Sequence, residues 1–194
     1  MSPTEVKRLV IGITGASGVI YGIRMLEALR GKIETHLVMS DQAKLTLSWE
    51  TDMTLGAVES LASFVHSDGD LSSPLASGSF ITQGMIIIPC SIKTLSAVAN
   101  SYGYPLIARA ADVNLGERRR VVLVVRETPL HLGHLRLMAQ VTEMGGVILP
   151  PMPAFYHRPK SVMDIVDHTV GKILDLFEIP HQLFRRWRED ENAL

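Results

Sequence analysis

Apolar and polar positions alternate along the chain in blocks that change period, and the changes mark the elements. Residues 8–13 (RLVIGI) are a short β-branched run that stops at Thr14-Gly15-Ala16-Ser17-Gly18. Ile20, Ile23, Leu26 and Leu29 then recur at helical spacing. Residues 36–39 (HLVM) predict a second strand, and Ser40 and Asp41 are N-cap candidates for a helix over 43–49. Residues 52–80 are rich in Ser, Gly and Asp and are expected to hold a short helix and a long loop. Residues 85–89 (MIIIP) are apolar on both faces, the pattern of a strand buried in a parallel sheet. Helical stretches are expected over 91–99 and 106–115, and a fourth strand over 120–125 (RVVLVV). Thr128-Pro129 reads as a helix start, with Thr as cap and Pro in the first turn, for a helix over 130–142. Residues 146–149 predict a fifth strand, ended by Pro150-Pro151, and two helices over 161–176 and 180–187 follow.

Strands alternating with helices predict a single α/β domain, residues 1–194, built on a doubly wound parallel sheet. Its core is expected over about residues 7–176, with a helical tail over about 177–194. In such sheets ligands bind outside the carboxyl ends of the strands. That rule singles out residues 14–18, Ser40, residues 90–94, Arg126-Glu127 and the loop 150–159, which all follow expected strands.

Composition narrows the class. Of 194 residues 46% are hydrophobic and 20% charged, which excludes wholesale disorder. Lys and Arg (19) balance Asp and Glu (20), so the basic surface of a dedicated nucleic-acid binder is not expected. No apolar run is long enough to cross a bilayer and no secretory pattern is read in the first residues, so a soluble cytoplasmic protein is expected. The single cysteine, Cys90, can form neither an internal disulfide nor a cysteine zinc cage.

The motifs admit functional and plain readings. Gly12-x-x-Gly15-x-x-Gly18 between a strand and a helix is either an anion cradle or a tight turn. It is not the dinucleotide fingerprint, and Ser40 stands where that fingerprint's acid would be, so a mononucleotide such as FMN fits better than NAD. Ser91, Ile92, Lys93 and Thr94 make a second phosphate-binding candidate or an ordinary helix cap. Arg126 and Glu127 offer phosphate pairing and proton transfer, or a surface ion pair. The loop carrying Tyr156, His157 and Arg158 is a binding lid or a stiff connector. Cys90 reads better as a packed side chain than as a nucleophile. His131 and His134 lack nearby acids, so no metal site is expected.

Taken together, the segments TGASG (14–18), ETD (50–52), SGSF (77–80), PCSIKTL (89–95), RAADV (109–113), RETPLHLGHL (126–135), PPMPAFYHRP (150–159) and RRW (185–187) resemble the flavin prenyltransferase family of the UbiX type. The resemblance runs over almost the whole chain. It implies a flavodoxin-like fold assembled as a dodecamer, and reaction of reduced FMN with dimethylallyl phosphate. The prenyl group would join N5 and C6 of the flavin without a metal. Prenylated FMN would then serve a UbiD-type decarboxylase, in ubiquinone biosynthesis or aromatic acid decarboxylation. By the same resemblance Gly15, Ala16, Ser17, Ser40, Ser91, Ile92, Lys93, Thr94 and Arg126 contact FMN. Arg109, Tyr156, Lys172 and Trp187 belong to the prenyl-phosphate side. Ser17, Glu50 and Glu127 are the catalytic candidates, with Ser17 a possible proton relay. The chain departs from the family at Gly116, normally lysine, and at Lys172, normally arginine; the second keeps the charge but loses bidentate geometry. Competing expectations are a non-catalytic FMN or prenylated-FMN carrier, or a cysteine decarboxylase of this fold. Those decarboxylases carry Pro-x-Met-Asn-x-x-Met-Trp, and here residues 151–156 contain no Asn.

Overall fold

A computed structural model describes residues 7–187. The chain forms two compact units, Met1–Pro150 and Pro151–Leu194. The first unit holds β1 (Arg8–Ile13), α1 (Val19–Leu29), β2 (Glu34–Met39), α2 (Asp41–Glu50), α3 (Leu55–Glu59), β3 (Phe64–Ser67), β4 (Gly84–Cys90), α4 (Ile92–Ala99), α5 (Leu106–Gly116), β5 (Arg120–Val125), α6 (Leu132–Glu143) and β6 (Val147–Ile148). The second is built on α7 (Val162–Leu176). The six strands are all parallel, in the order β3-β2-β1-β4-β5-β6. Without the four-residue edge strand β3 the order is the flavodoxin-like one, and the crevice where it reverses lies between β1 and β4.

The all-apolar β4 is buried at all seven positions, as a central parallel strand requires. Met85 and Ile87 pack with Val10, Leu95, Val98, Leu106, Ile107, Ala110 and Leu123 in one core. Ile86 and Ile88 alternate to the opposite face, where Gly22 of α1 lies directly on the Ile88 carbonyl and Ile13. Ser40, Thr54, Ser91 and Ser161 cap α2, α3, α4 and α7 through their side-chain oxygens.

Three expectations are corrected. The segment 52–80 contains the strand β3 as well as a helix. α6 starts at Leu132, not beside Pro129: Thr128 N donates to Glu127 Oε1, and His131 takes the cap by accepting from Gly133 N at 3.0 Å. Residues 180–187 are not helical. Their side chains reach back to α7 instead, where Asp175 holds Arg186 through both guanidinium nitrogens (2.7 and 3.0 Å) and His181 Nε2 at 3.0 Å. Gly171 makes room for this: a Cβ there would meet Phe184 Cδ1 at 2.6 Å and His181 Cε1 at 2.7 Å. The part of the expected tail over 188–194 lies outside the described residues.

Candidate active site

The loops after β1 and β4 are stitched by one buried hydroxyl. Thr14 Oγ1 donates to the Pro89 carbonyl at 2.8 Å and accepts from Ser91 N at 2.8 Å. The two glycine- and hydroxyl-rich segments therefore open onto the same crevice. A cavity of about 970 Å³ lies there, at the carboxyl ends of β1 to β4, large enough for a mononucleotide. Gly15, Ser40, Ser91, Lys93 and Thr94 line it, so five of the expected cofactor residues meet in one place.

Its chemistry is divided. Ser40 Oγ accepts from Ala43 N at 3.2 Å, and Ser91 Oγ accepts from Thr94 N at 3.3 Å, so each hydroxyl marks a helix start whose dipole favours an anion. Lys93 adds positive charge, while Lys44 is paired with Asp41, also in the lining, at 2.9 Å. Tyr102, Tyr104, Pro105, Ile107, Ala97 and Ala108 supply the apolar and aromatic surface that a flat ring system needs. Asp68, just beyond β3, also lines the cavity. Its Oδ1 accepts from Ile107 N at 3.0 Å, and burial holds its carboxyl above the ordinary range despite that bond. Asp68, Lys44, Asn100, Tyr102 and Tyr104 escaped the sequence reading. Recognition of β3 would have pointed to Asp68 by the strand-end rule.

The remaining candidates stand elsewhere. Ala16, Ser17, Ile92 and Arg126 do not line this cavity, although Arg126 directly follows β5 and is exposed. Gly18 caps α1 in a left-handed conformation (φ 102°). The free N–H groups at that helix start are taken by Glu50: its Oε2 accepts from Gly18 N at 2.8 Å and from Val19 N at 3.0 Å. In this structure the first glycine loop thus holds a protein carboxylate at its helix end. Glu127 is exposed and accepts from its neighbour Thr128 N at 2.9 Å. Arg109 holds the turn over 74–76 to α5, donating to the Ala76 carbonyl at 3.2 Å and to Asp112 at 2.9 Å. Gly116 ends α5 at the amino-terminal pole of the sheet, beside a cavity of about 470 Å³ lined by Leu115, Arg118, Arg119 and Arg120. Cys90 is fully buried, and burial pushes its thiol far up, away from a nucleophile's range.

In the second unit Tyr156 and Trp187 meet edge-to-face at 5.3 Å between ring centres. Tyr156 is also hydrogen-bonded to His168 Nε2 at 2.8 Å. Lys172, one turn along α7 from His168, lies 3.9 Å from Asp175. No group of three or more metal-ligating side chains exists among the described residues.

A doubly wound sheet with a hydroxyl-, lysine- and tyrosine-lined crevice at its switch point defines a flavin-binding class of α/β protein, and the Flavoprotein family model matches residues 2–185. The chain is 60% identical, over 95% of both lengths, to the flavin prenyltransferase UbiX of Thauera aromatica. A crystal structure of AnUbiX (PadA1) in complex with FMN and dimethylallyl pyrophosphate superposes with a TM-score of 0.92 at 50% identity, covering 93% of this chain and 97% of that one. A dodecameric FMN-dependent UbiX-like decarboxylase from Escherichia coli O157:H7 superposes at 0.91 with 48% identity, covering 93% and 98%. The chain belongs to the UbiX flavin prenyltransferase family.

Proposed function

We propose that this protein is a flavin prenyltransferase. It joins a dimethylallyl group from dimethylallyl phosphate to N5 and C6 of reduced FMN, and the prenylated FMN goes to a UbiD-type decarboxylase. The observation that carries the reading is the meeting of Gly15, Ser40, Ser91, Lys93 and Thr94 in one switch-point cavity, in a chain 60% identical to a UbiX enzyme along its length. We further propose a homo-oligomer, taken as a dodecamer from the relative of that assembly, working in the cytoplasm.

The donor set fits FMN. Two helix starts with hydroxyl caps and Lys93 suit its phosphate, and the tyrosine and aliphatic wall suits its ring. When bound, reduced FMN supplies the nucleophilic flavin positions. The chain's residues do the rest. Ser40, Ser91, Thr94, Lys93 and Gly15 bind and orient the flavin; Ala16, Ser17, Ile92 and Arg126, outside the cavity lining, are assigned to it by family likeness alone. Arg109, Tyr156, Lys172 and Trp187 are assigned to the donor. Cations and hydroxyl donors stabilise the departing phosphate, and aromatic walls keep water from an allylic cation. For closure on C6 a carboxylate, Glu50 or Glu127, with Ser17 as relay, gives one proton to the prenyl double bond and takes the one released from C6.

The test is anaerobic. Protein, reduced FMN and dimethylallyl phosphate are mixed and the released flavin is weighed. A gain of one prenyl unit is expected; flavin recovered unchanged with both the monophosphate and the diphosphate donor refutes the transferase. Gly116→Lys addresses the departure there. Nothing lies within 4 Å of a Cβ at Gly116, so the variant is expected to fold. Gly116 is remote from the crevice of its own chain, so a lower KM for dimethylallyl phosphate is the outcome if a neighbouring subunit of the oligomer meets the donor with this pole; an unchanged KM shows that no charge is needed at that position.

A further inference from the structure

His168 is buried in the second unit, 8% exposed, and no motif of the sequence pointed to it. Its ring is held on two sides. His157 stacks on it at 4.9 Å between centres and 3° between planes, and Phe184 lies against it at 4.7 Å. Neither ring nitrogen of His157 has a hydrogen-bond partner, so the stack leaves His168 free of a competing bond from that side. The seat of Phe184 on Gly171, a place where a Cβ would collide, fixes the second wall. The ring is thereby aimed so that Nε2 meets the Tyr156 hydroxyl at 2.8 Å.

We propose that His168 is a positioning residue that sets the hydrogen-bonding direction of Tyr156, so that the phenol donates its proton to the phosphate of the prenyl donor. The inference rests on the assignment of Tyr156 to that phosphate. A phenol has one proton, and a phosphate oxygen only accepts. If Tyr156 spends its proton on His168, its remaining lone pairs repel an anion. If His168 donates from Nε2, the phenol oxygen accepts and its own proton is free for the phosphate. Burial first, then the neighbouring His157 and Lys172, hold His168 below its ordinary range, so the ring is neutral and carries one N–H. The productive form places it on Nε2. Donation from Nε2 also polarises the phenol and strengthens its outward bond.

Two replacements separate this role from packing. Gln carries an N–H where Nε2 stands but has no ring. Phe keeps the ring in its stack but has no donor. With reduced FMN saturating, the His168→Phe variant is expected to raise KM for dimethylallyl phosphate about 2- to 13-fold, the range one neutral hydrogen bond carries, with kcat within about two-fold. His168→Gln is expected to stay within about two-fold of the parent. Tyr156→Phe alone should raise the same KM, and adding His168→Phe to it should add nothing. The reverse order, with Phe tolerated and Gln impaired, overturns the proposal, because packing would then be the residue's role. So does a fall in kcat with KM unmoved, or effects of the two positions that multiply. If Tyr156→Phe leaves KM unchanged, the assignment of Tyr156 itself fails, a result distinct from His168 failing alone.

Discussion

Replacing Glu50 by Gln and by Ala separates two roles that the structure superimposes on one carboxylate. Glu50 bonds the N–H of the cap residue Gly18 at 2.8 Å and that of Val19, the first residue of α1, at 3.0 Å, and it is also a candidate proton acceptor. The structural part can be sized. An exposed carboxylate at a helix N-terminus gains about 0.3–1 kcal/mol from the dipole. Removing a capping side chain altogether costs about 0.5–2 kcal/mol. Glu50 is exposed but accepts from two N–H groups, so the Ala variant is placed in the upper part of that range, about 1–2 kcal/mol. A chain of this size loses about 2–4 °C of Tm per kcal/mol, so Glu50→Ala should melt about 2–8 °C lower. Gln keeps one acceptor oxygen and loses the charge, which predicts a fall of about 1–4 °C. Loss of general acid–base catalysis lowers turnover about 10²- to 10⁴-fold, far more than a cap should. Calorimetry and the anaerobic flavin assay on the same two variants read both quantities. An unchanged Tm for Glu50→Ala refutes the cap. A Glu50→Gln enzyme that retains more than about a tenth of its turnover refutes proton transfer by Glu50.

Three further expectations follow from the geometry. Buried Cys90, its thiol pushed up by desolvation, should resist iodoacetamide in the native protein and react on unfolding; rapid native alkylation would contradict its burial. His66 is held below its ordinary range, by burial first and then by His36. Its unfolded form takes up a proton near about pH 6.5, so the stability it lends is complete above that value and falls as pH drops toward its lower folded pKa. Hydrogen exchange of Phe64–Ser67, corrected for intrinsic rates, should therefore speed between pH 7 and pH 5, and His66→Gln should flatten the change. Arg186, and then His181, keep Asp175 below the carboxylate range, so its contribution is present at neutral pH and is lost as pH falls through the lowered value. At neutral pH, Asp175→Asn should speed hydrogen exchange at Leu183, whose N–H bonds His181 Nδ1 at 3.3 Å; parent-like exchange would show that the clamp does not hold residues 180–187.

The alternation of strands and helices was legible because burial and period agree in β1, β4 and β5. β3 was not. Phe64 and Val65 are 52% and 47% exposed, and the strand is held by its ladder to β2 and by His66 Nε2 bonded to His36 Nδ1 at 3.0 Å. None of that leaves a period in the sequence. Missing β3 also hid Asp68. The residues 180–187 were misread for a related reason: their apolar and basic side chains suit a helix face, but Asp175 and Gly171 offer them partners on α7. The strand-end rule found the hydroxyl and lysine wall of the crevice. Tyr102 and Tyr104 join that wall from the loop between α4 and α5, where no strand ends.

Thr14 gives the crevice a chemical requirement that shape alone would not reveal. Parallel strands splay where neighbouring connections leave on opposite faces, and backbone groups there lose their ladder partners. One hydroxyl supplies the partner of Ser91 N and a second donor to the Pro89 carbonyl, which also accepts from Thr14 N at 3.2 Å. Valine has nearly the same outline and can do neither, whereas serine can do both. The mouth of the binding crevice is thus fastened in part by a hydroxyl that lies outside its lining, and that fastening can be removed without touching any side chain that lines the cavity.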